Sequence, residues 1–280
     1  MLTRPLPTLD AWTAHFAAAT IPVLPRTAEA MDWLATRQDD LDAHSIAEFL
    51  AGDPLMTLKL FSHVATLRRP SAGDDDHEVL AETLTAALVY LGVEPFFRAF
   101  PTLQTTEDLL HAHPEARDGL HEVLARAARA AVFALGFAVH RMDSDAPTLY
   151  HAALLHDFAE MLLWCHAPDL ALEIRHRQRR DPALRSAQAQ VDVLHIRLAD
   201  LEQALMRTWR LPRVWRRLTD EHAAAHDLQA RSVTLAIRLA RHTQHGWDNA
   251  ALPDDIADIA ALLNLSPEAT LRKVRDLDEG

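Results

Sequence analysis

Tyr150-His151-Ala152-Ala153-Leu154-Leu155-His156-Asp157-Phe158-Ala159-Glu160 sets an adjacent His-Asp pair in the middle of an apolar segment with helical spacing. Burying two ionisable side chains together is costly unless they are hydrogen-bonded, paired or bound to a metal. The reading of the chain turns on which of these holds.

Working outward, the composition is that of a helical protein. The chain has 280 residues, 49% of them hydrophobic, with only 7 Gly, abundant Ala and few β-branched or aromatic runs. Such a mixture favours helix over strand and leaves enough chain for a sizeable core. The net charge of −12 argues against a general nucleic-acid or anionic-membrane binder. A single Cys165 excludes an intrachain disulfide and a cysteine-based zinc cluster. The opening residues lack a secretory pattern, and no stretch reads as the roughly 20 apolar residues that span a bilayer. The expectation is a cytoplasmic protein. Lys occurs only at 59 and 273, a bias that with the Ala excess reads as genome composition.

Turn and cap signals divide the chain as follows. A short helix is expected before Ala19, then an extended lead-in Ile21-Pro22-Val23-Leu24-Pro25 and a helix over 28–37. Ser45-Ile46-Ala47-Glu48 fits a capping box, and the helix it opens should stop at Gly52. Asp53 and Pro54 then supply an N-cap and a first helical residue. Residues 68–76, with Arg68, Arg69 and Asp74 to Asp76, read as a solvated loop. Further helices are expected over 79–91, 117–140, 147–165, 168–180, 182–208, 212–225, 229–245, 253–263 and 267–277. No segment alternates with period 2, so no sheet is expected. The weakest joint is 102–118, which would divide lobes at 20–105 and 106–245, preceded by a lead segment 1–19 and followed by a helical extension 246–280.

Three segments together carry a family resemblance: Ile21–Pro25 leading through Ser45 to Asp53-Pro54-Leu55-Met56-Thr57-Leu58-Lys59-Leu60-Phe61; Leu154–Phe158; and Ala204–Pro212 before a helix ending at Glu221-His222. Their order and spacing resemble the HDOD family, the HD-related output domain of bacterial signalling proteins, over about residues 20–245. The resemblance implies an all-α fold, a helical lobe on a degenerate HD-like bundle, and a place in signal transduction, sometimes near cyclic-dinucleotide pathways.

In the related HD enzymes the His-Asp pair supplies two ligands of a catalytic metal, so the remaining ligand positions decide the chemistry. The first ligand His aligns with Arg126 or Ala127, and His121 lies about a turn and a half too early. A permanently cationic guanidinium cannot ligate a metal. The final Asp aligns with Ile237, and the His that many relatives carry before the Trp-x-Leu-Pro segment aligns with Leu198. The Gly-Lys usual after His-Asp is Ala159-Glu160, and the Asn-Ser after the Asp-Pro helix is Ala65-Thr66. Only His222 is a further candidate by position, so any metal would rest on His156, Asp157 and His222. A tight site needs three or four convergent donors. Against the ligand reading stands a structural pair, with Asp157 accepting from a helix start or from Arg126.

Other features have plain alternatives. His151 is badly phased to share a helix face with His156. His222 and His226 stand at i and i+4, a geometry compatible with zinc, but without the Glu of a zinc-protease motif they read as a solvent-facing pair. Arg207, Arg210, Arg213, Arg216 and Arg217 form either a strip for an acidic partner or a solvated face balanced by Asp220 and Glu221. Trp164, Trp209 and Trp215 read as packing residues, and Cys165 as a small buried hydrophobe. The expectation is a non-catalytic regulatory module that binds a signalling protein or small ligand, with no cofactor, nucleic acid or membrane partner. The alternatives are a divergent metal-dependent phosphohydrolase and a nucleotide sensor without hydrolysis. Oligomeric state is open.

Overall fold

The computed structural model describes residues 1–67, 81–220 and 222–279. The expected loop at 68–76, the start of the helix expected at 79 and Glu221 lie outside the described residues. In chain order the α-helices are α1 (Leu9–Ala18), α2 (Pro25–Ala35), α3 (Ala43–Leu50), α4 (Pro54–Thr66), α5 (Leu84–Leu91), α6 (Val93–Ala99), α7 (Thr106–Leu110), α8 (Pro114–His140) and α9 (Ala146–Leu155). They continue as α10 (Phe158–His166), α11 (Pro168–Arg180), α12 (Ser186–Leu194), α13 (Leu198–Thr208), α14 (Arg213–Leu218), α15 (Leu228–His242), α16 (Leu252–Leu263) and α17 (Pro267–Glu279). Short 3-10 turns fall at Gln38–Asp40 and Ala223–Ala225. Among the described residues the only bridge of strand type is an isolated parallel pair, Val23 with Thr105. The fold is all-α.

The chain forms two compact units: Met1–Val123 with Asp157–Pro212, and Leu124–His156 with Arg213–Gly280. This partition differs from lobes of 20–105 and 106–245. The stretch 102–118 lies within the first unit, where Thr105 and Asp108 make a reciprocal capping box at the start of α7.

The first unit is organised around Asp53, which is fully buried. Its Oδ1 accepts from the backbone N–H groups of Leu55 (2.9 Å) and Met56 (3.0 Å), the orphan donors at the start of α4. Its Oδ2 accepts from Leu24 N–H at 2.8 Å, so the same carboxylate holds the extended lead-in. Lys59, one turn into α4, donates to Ile21 O at 2.7 Å. The lead-in is thereby placed beside Thr105: Val23 N–H donates to Gln104 O and Thr106 N–H to Val23 O, both at 2.9 Å. Helix α1 belongs to the same core. Trp12 and Phe16 are fully buried, and the Trp12 indole N–H donates to Leu194 O at 3.0 Å. Gly119 lets α8 approach Trp164, since a Cβ there would lie 2.5 Å from that ring.

In the second unit α15 packs on α9, α14 and α16, and α16 packs on α17. Asp255, 1% exposed, faces Arg238 Nε and His242 Nδ1, both at 2.6 Å. Arg129 forks onto Asp278 at 2.6 and 2.8 Å while donating to Thr243 O and Oγ1. Paired in this way, buried charges keep partners for most of their lone pairs and protons.

Several expected boundaries move. Helix α3 is capped by Asp42, whose Oδ1 accepts from Ser45 N–H and Oγ–H, so the capping box expected at Ser45–Glu48 does not form. A charged acceptor three residues earlier outcompetes the serine hydroxyl. The helix expected over 182–208 breaks at His195, which takes a left-handed conformation (φ 64°) at the end of α12. Nothing next to His195 marks the break, since neither Gly nor Pro occurs between 183 and 208. Helix α8 corrects the membrane reading: by length and composition it is able to cross a bilayer. Part of its apolar side is used as core, with Leu120 and Val123 in the first unit and Phe133 and Phe137 in the second.

Replacing Asp53 by Ala strands two buried N–H groups and the part-buried one of Leu24, and should cost about 3 kcal/mol. Urea melts of the two proteins check this, and an unchanged midpoint would remove Asp53 from its organising role.

Candidate functional site

The His-Asp pair does not lie within a continuous helix. Helix α9 ends at Leu155 and α10 begins at Phe158, so His156 and Asp157 form the corner between them. His156 N–H reaches Ala153 O at 3.4 Å, a tightened last turn. Asp157 leaves the helical region (φ −101°, ψ 20°), while its carbonyl accepts from Met161 N–H at 3.0 Å to start α10. A corner turns polar side chains out of an otherwise apolar run, and both residues are part-buried rather than buried. Neither is without partners.

The other ligand positions are distributed as follows. In the second unit the part-buried Arg126 guanidinium lies 3.4 Å from Gln244 Oε1. Ile237 is 7% exposed in the apolar face of α15. His222 is exposed, and its backbone N–H donates to Asp220 Oδ1 at 2.9 Å. In the first unit Leu198 is buried as the first residue of α13, its N–H donating to Gln190 Oε1 at 3.0 Å. Ala127 is buried, and His121 is exposed opposite Glu107 at 3.3 Å.

Among the described residues no three His, Cys, Asp or Glu side chains are grouped so as to hold a metal ion. Two aliphatic side chains and a guanidinium offer no lone pair to a cation. The residues that the family resemblance sets at the remaining HD ligand positions therefore do not fit a divalent ion.

The helix expected to carry His222 and His226 is also interrupted. Helix α14 ends at Leu218, and His222 and His226, both exposed, flank a 3-10 turn at Ala223–Ala225. Arg217 pairs with Asp227 rather than with the expected Asp220, and donates to Gln229 at 3.1 Å. Arg210 takes a left-handed conformation (φ 50°) at the end of α13, where Leu211 N–H returns to Met206 O at 2.9 Å. Pro212 then stands immediately before α14, which begins at Arg213.

Sequence reading missed the polar centre of the second unit, His151. It is 7% exposed, its Nδ1–H donates to Pro147 O at 2.7 Å, and its ring stacks on Trp215 at 6.3 Å between centroids. Nε2 is buried with no protein partner. Burial pulls the imidazole below its ordinary value, against the hydrogen bond to Pro147, so the folded protein holds it neutral. Burial also pushes the Cys165 thiol up, which leaves it an inert core residue.

The HDOD domain family matches residues 21–225, most of the chain. The chain belongs to the HDOD family. Its fold is shared with the MmoQ response regulator of Methylococcus capsulatus (TM-score 0.65, 19% identity, 92% of this chain and 98% of that one). It is shared also with a virulence factor from Campylobacter jejuni subsp. jejuni (TM-score 0.63, 15% identity, 97% and 99% covered). An HDOD domain protein of unknown function from Geobacter sulfurreducens aligns with TM-score 0.50 at 16% identity over 95% and 93%. No curated protein matches the chain.

Two outcomes are expected. Because the folded-state value of His151 lies below the unfolded one near pH 6.5, the unfolded chain takes up the proton first on acidification. Its stability contribution is complete above about pH 6.5 and is lost as pH falls below that. His151→Phe should therefore flatten part of the stability loss between pH 7 and 5 in urea titrations; an unaltered slope would refute the neutral buried assignment. Trp215, fully buried, should cost about 3–5 kcal/mol on truncation to Ala. Trp209 corrects the expectation of a core residue: it is only part-buried against Phe158 at 5.8 Å, and should cost about half as much. Equal losses in thermal melts would contradict this ranking.

Proposed function

We propose that the chain is a non-catalytic signal-transduction module that acts by binding a protein partner or a small ligand in a bacterial cytoplasm. The observation that carries this reading is chemical: the HD ligand positions hold Arg126, Leu198 and Ile237, none of which donates to a metal. Without a bound ion there is no means of lowering the pKa of water for attack on a phosphoester at neutral pH. Membership of the HDOD family and a shared fold with a protein described as a response regulator agree with a signalling role. Output from such a module passes through an interface.

The second reading is a divergent HD-type phosphohydrolase, favoured by the retained His156 and Asp157 and by their position at a helix corner. A nucleotide sensor that kept a pocket without hydrolysis is its non-catalytic variant. Purified protein is expected to leave nucleotides and phosphoesters intact with Mn²⁺, Mg²⁺, Zn²⁺ or Fe²⁺ supplied. Turnover that disappears in His156→Ala would establish the enzyme reading. Thermal shift with nucleotides separates sensor from scaffold, since binding to the native state raises the melting temperature.

A further inference from the structure

The first unit exposes aromatic surface that its own fold does not use. Trp33 on α2 is 45% exposed and Phe49 on α3 is 50% exposed, yet their rings lie 5.8 Å apart, so they form one patch rather than two isolated residues. The Arg37 guanidinium sits 4.5 Å from the Trp33 ring centroid and helps to fix it. Helix α5, which packs on α3, leaves Val89 and Tyr90 68% and 59% exposed. Clustered exposed aromatics mark interaction sites, since Trp, Tyr and Phe are enriched in interfaces and Trp and Tyr among the residues that dominate binding.

The surrounding charge selects the partner. Residues 25–50, from the start of α2 to the end of α3, carry six carboxylates, Glu29, Asp32, Asp39, Asp40, Asp42 and Glu48, against two guanidinium groups, Arg26 and Arg37. An isologous contact with a second copy would set these carboxylates against one another. Anionic lipid and nucleic acid are repelled for the same reason. The described residues contain no sheet to which an extended peptide could add a strand. What remains complementary is a cationic amphipathic helix, its apolar side on Trp33 and Phe49 and its Lys or Arg side on the carboxylates.

We propose that the Trp33–Phe49 face of α2 and α3 is a docking surface for a basic amphipathic helix of another protein. This rests on the reading of the chain as a partner-binding module and gives that reading a location and a partner chemistry.

The probe is a fluorescent amphipathic Leu/Lys peptide of about 14 residues, four helical turns, titrated with the full chain, beside a Leu/Glu peptide of the same pattern. The Leu/Lys peptide is expected to bind, more weakly as salt rises, and at least about tenfold more weakly to Trp33→Ala or Phe49→Ala. Glu48→Lys should weaken it as well. Met142→Asn, at a residue 91% exposed in the second unit, should not. The aromatic positions are exposed, so melting temperatures should hold and loss of binding cannot be ascribed to unfolding. Equal binding to every variant, equal binding of the Leu/Glu peptide, or no binding would each overturn the assignment. So would sedimentation showing that Trp33→Ala dissociates a dimer, which would make a second copy the occupant. Any of these results, with phosphoester hydrolysis still absent, removes this surface and leaves the non-catalytic reading standing.

Discussion

A single buried carboxylate, Asp53, does the work of joining two kinds of structure in the first unit. One oxygen satisfies the start of α4 and the other holds the extended lead-in at Leu24, which then meets Thr105 and the start of α7. Burial pushes this carboxyl up, and the hydrogen bonds from Leu24, Met56, Thr27 and Leu55 oppose that shift. Lys59, pulled down by its own burial, sits close enough for its charge to couple to Asp53. The arrangement ties residues about thirty positions apart without a sheet, which a chain this poor in strand signals requires.

The second unit solves a different problem. It buries one carboxylate, Asp255, between the part-exposed Arg238 and His242, and pairs the part-exposed Asp278 with Arg129. Helices α16 and α17, which lie beyond the residues matched by the family, supply those carboxylates. Ile237, which the family resemblance sets opposite the final Asp ligand of the HD enzymes, packs on the apolar side of α15.

Much of the fold was legible because its signals are local. Asp53-Pro54 announced an N-cap and a first turn, because a side-chain oxygen and a proline ring act within three residues. The break at His195, the corner at His156-Asp157 and the cap at Asp42 were not legible. Each is settled by tertiary packing or by competition between nearby caps, and a non-glycine left-handed residue leaves no mark in the sequence. At the candidate site, side-chain identity alone says that Arg126, Leu198 and Ile237, which the family resemblance sets at ligand positions, carry no metal-donor atom. The burial of His151 against Trp215 was not, because these residues are sixty-four positions apart and share no motif.

In the proposed non-catalytic reading, His156 and Asp157 lack the companions a catalytic ion needs. Titration of the purified chain with Mn²⁺, followed by electron paramagnetic resonance, tests it most directly. The account predicts no saturable binding at micromolar metal, and the same free-ion signal in the wild type and in His156→Ala. Stoichiometric uptake of one ion per chain that His156→Ala abolishes would contradict it.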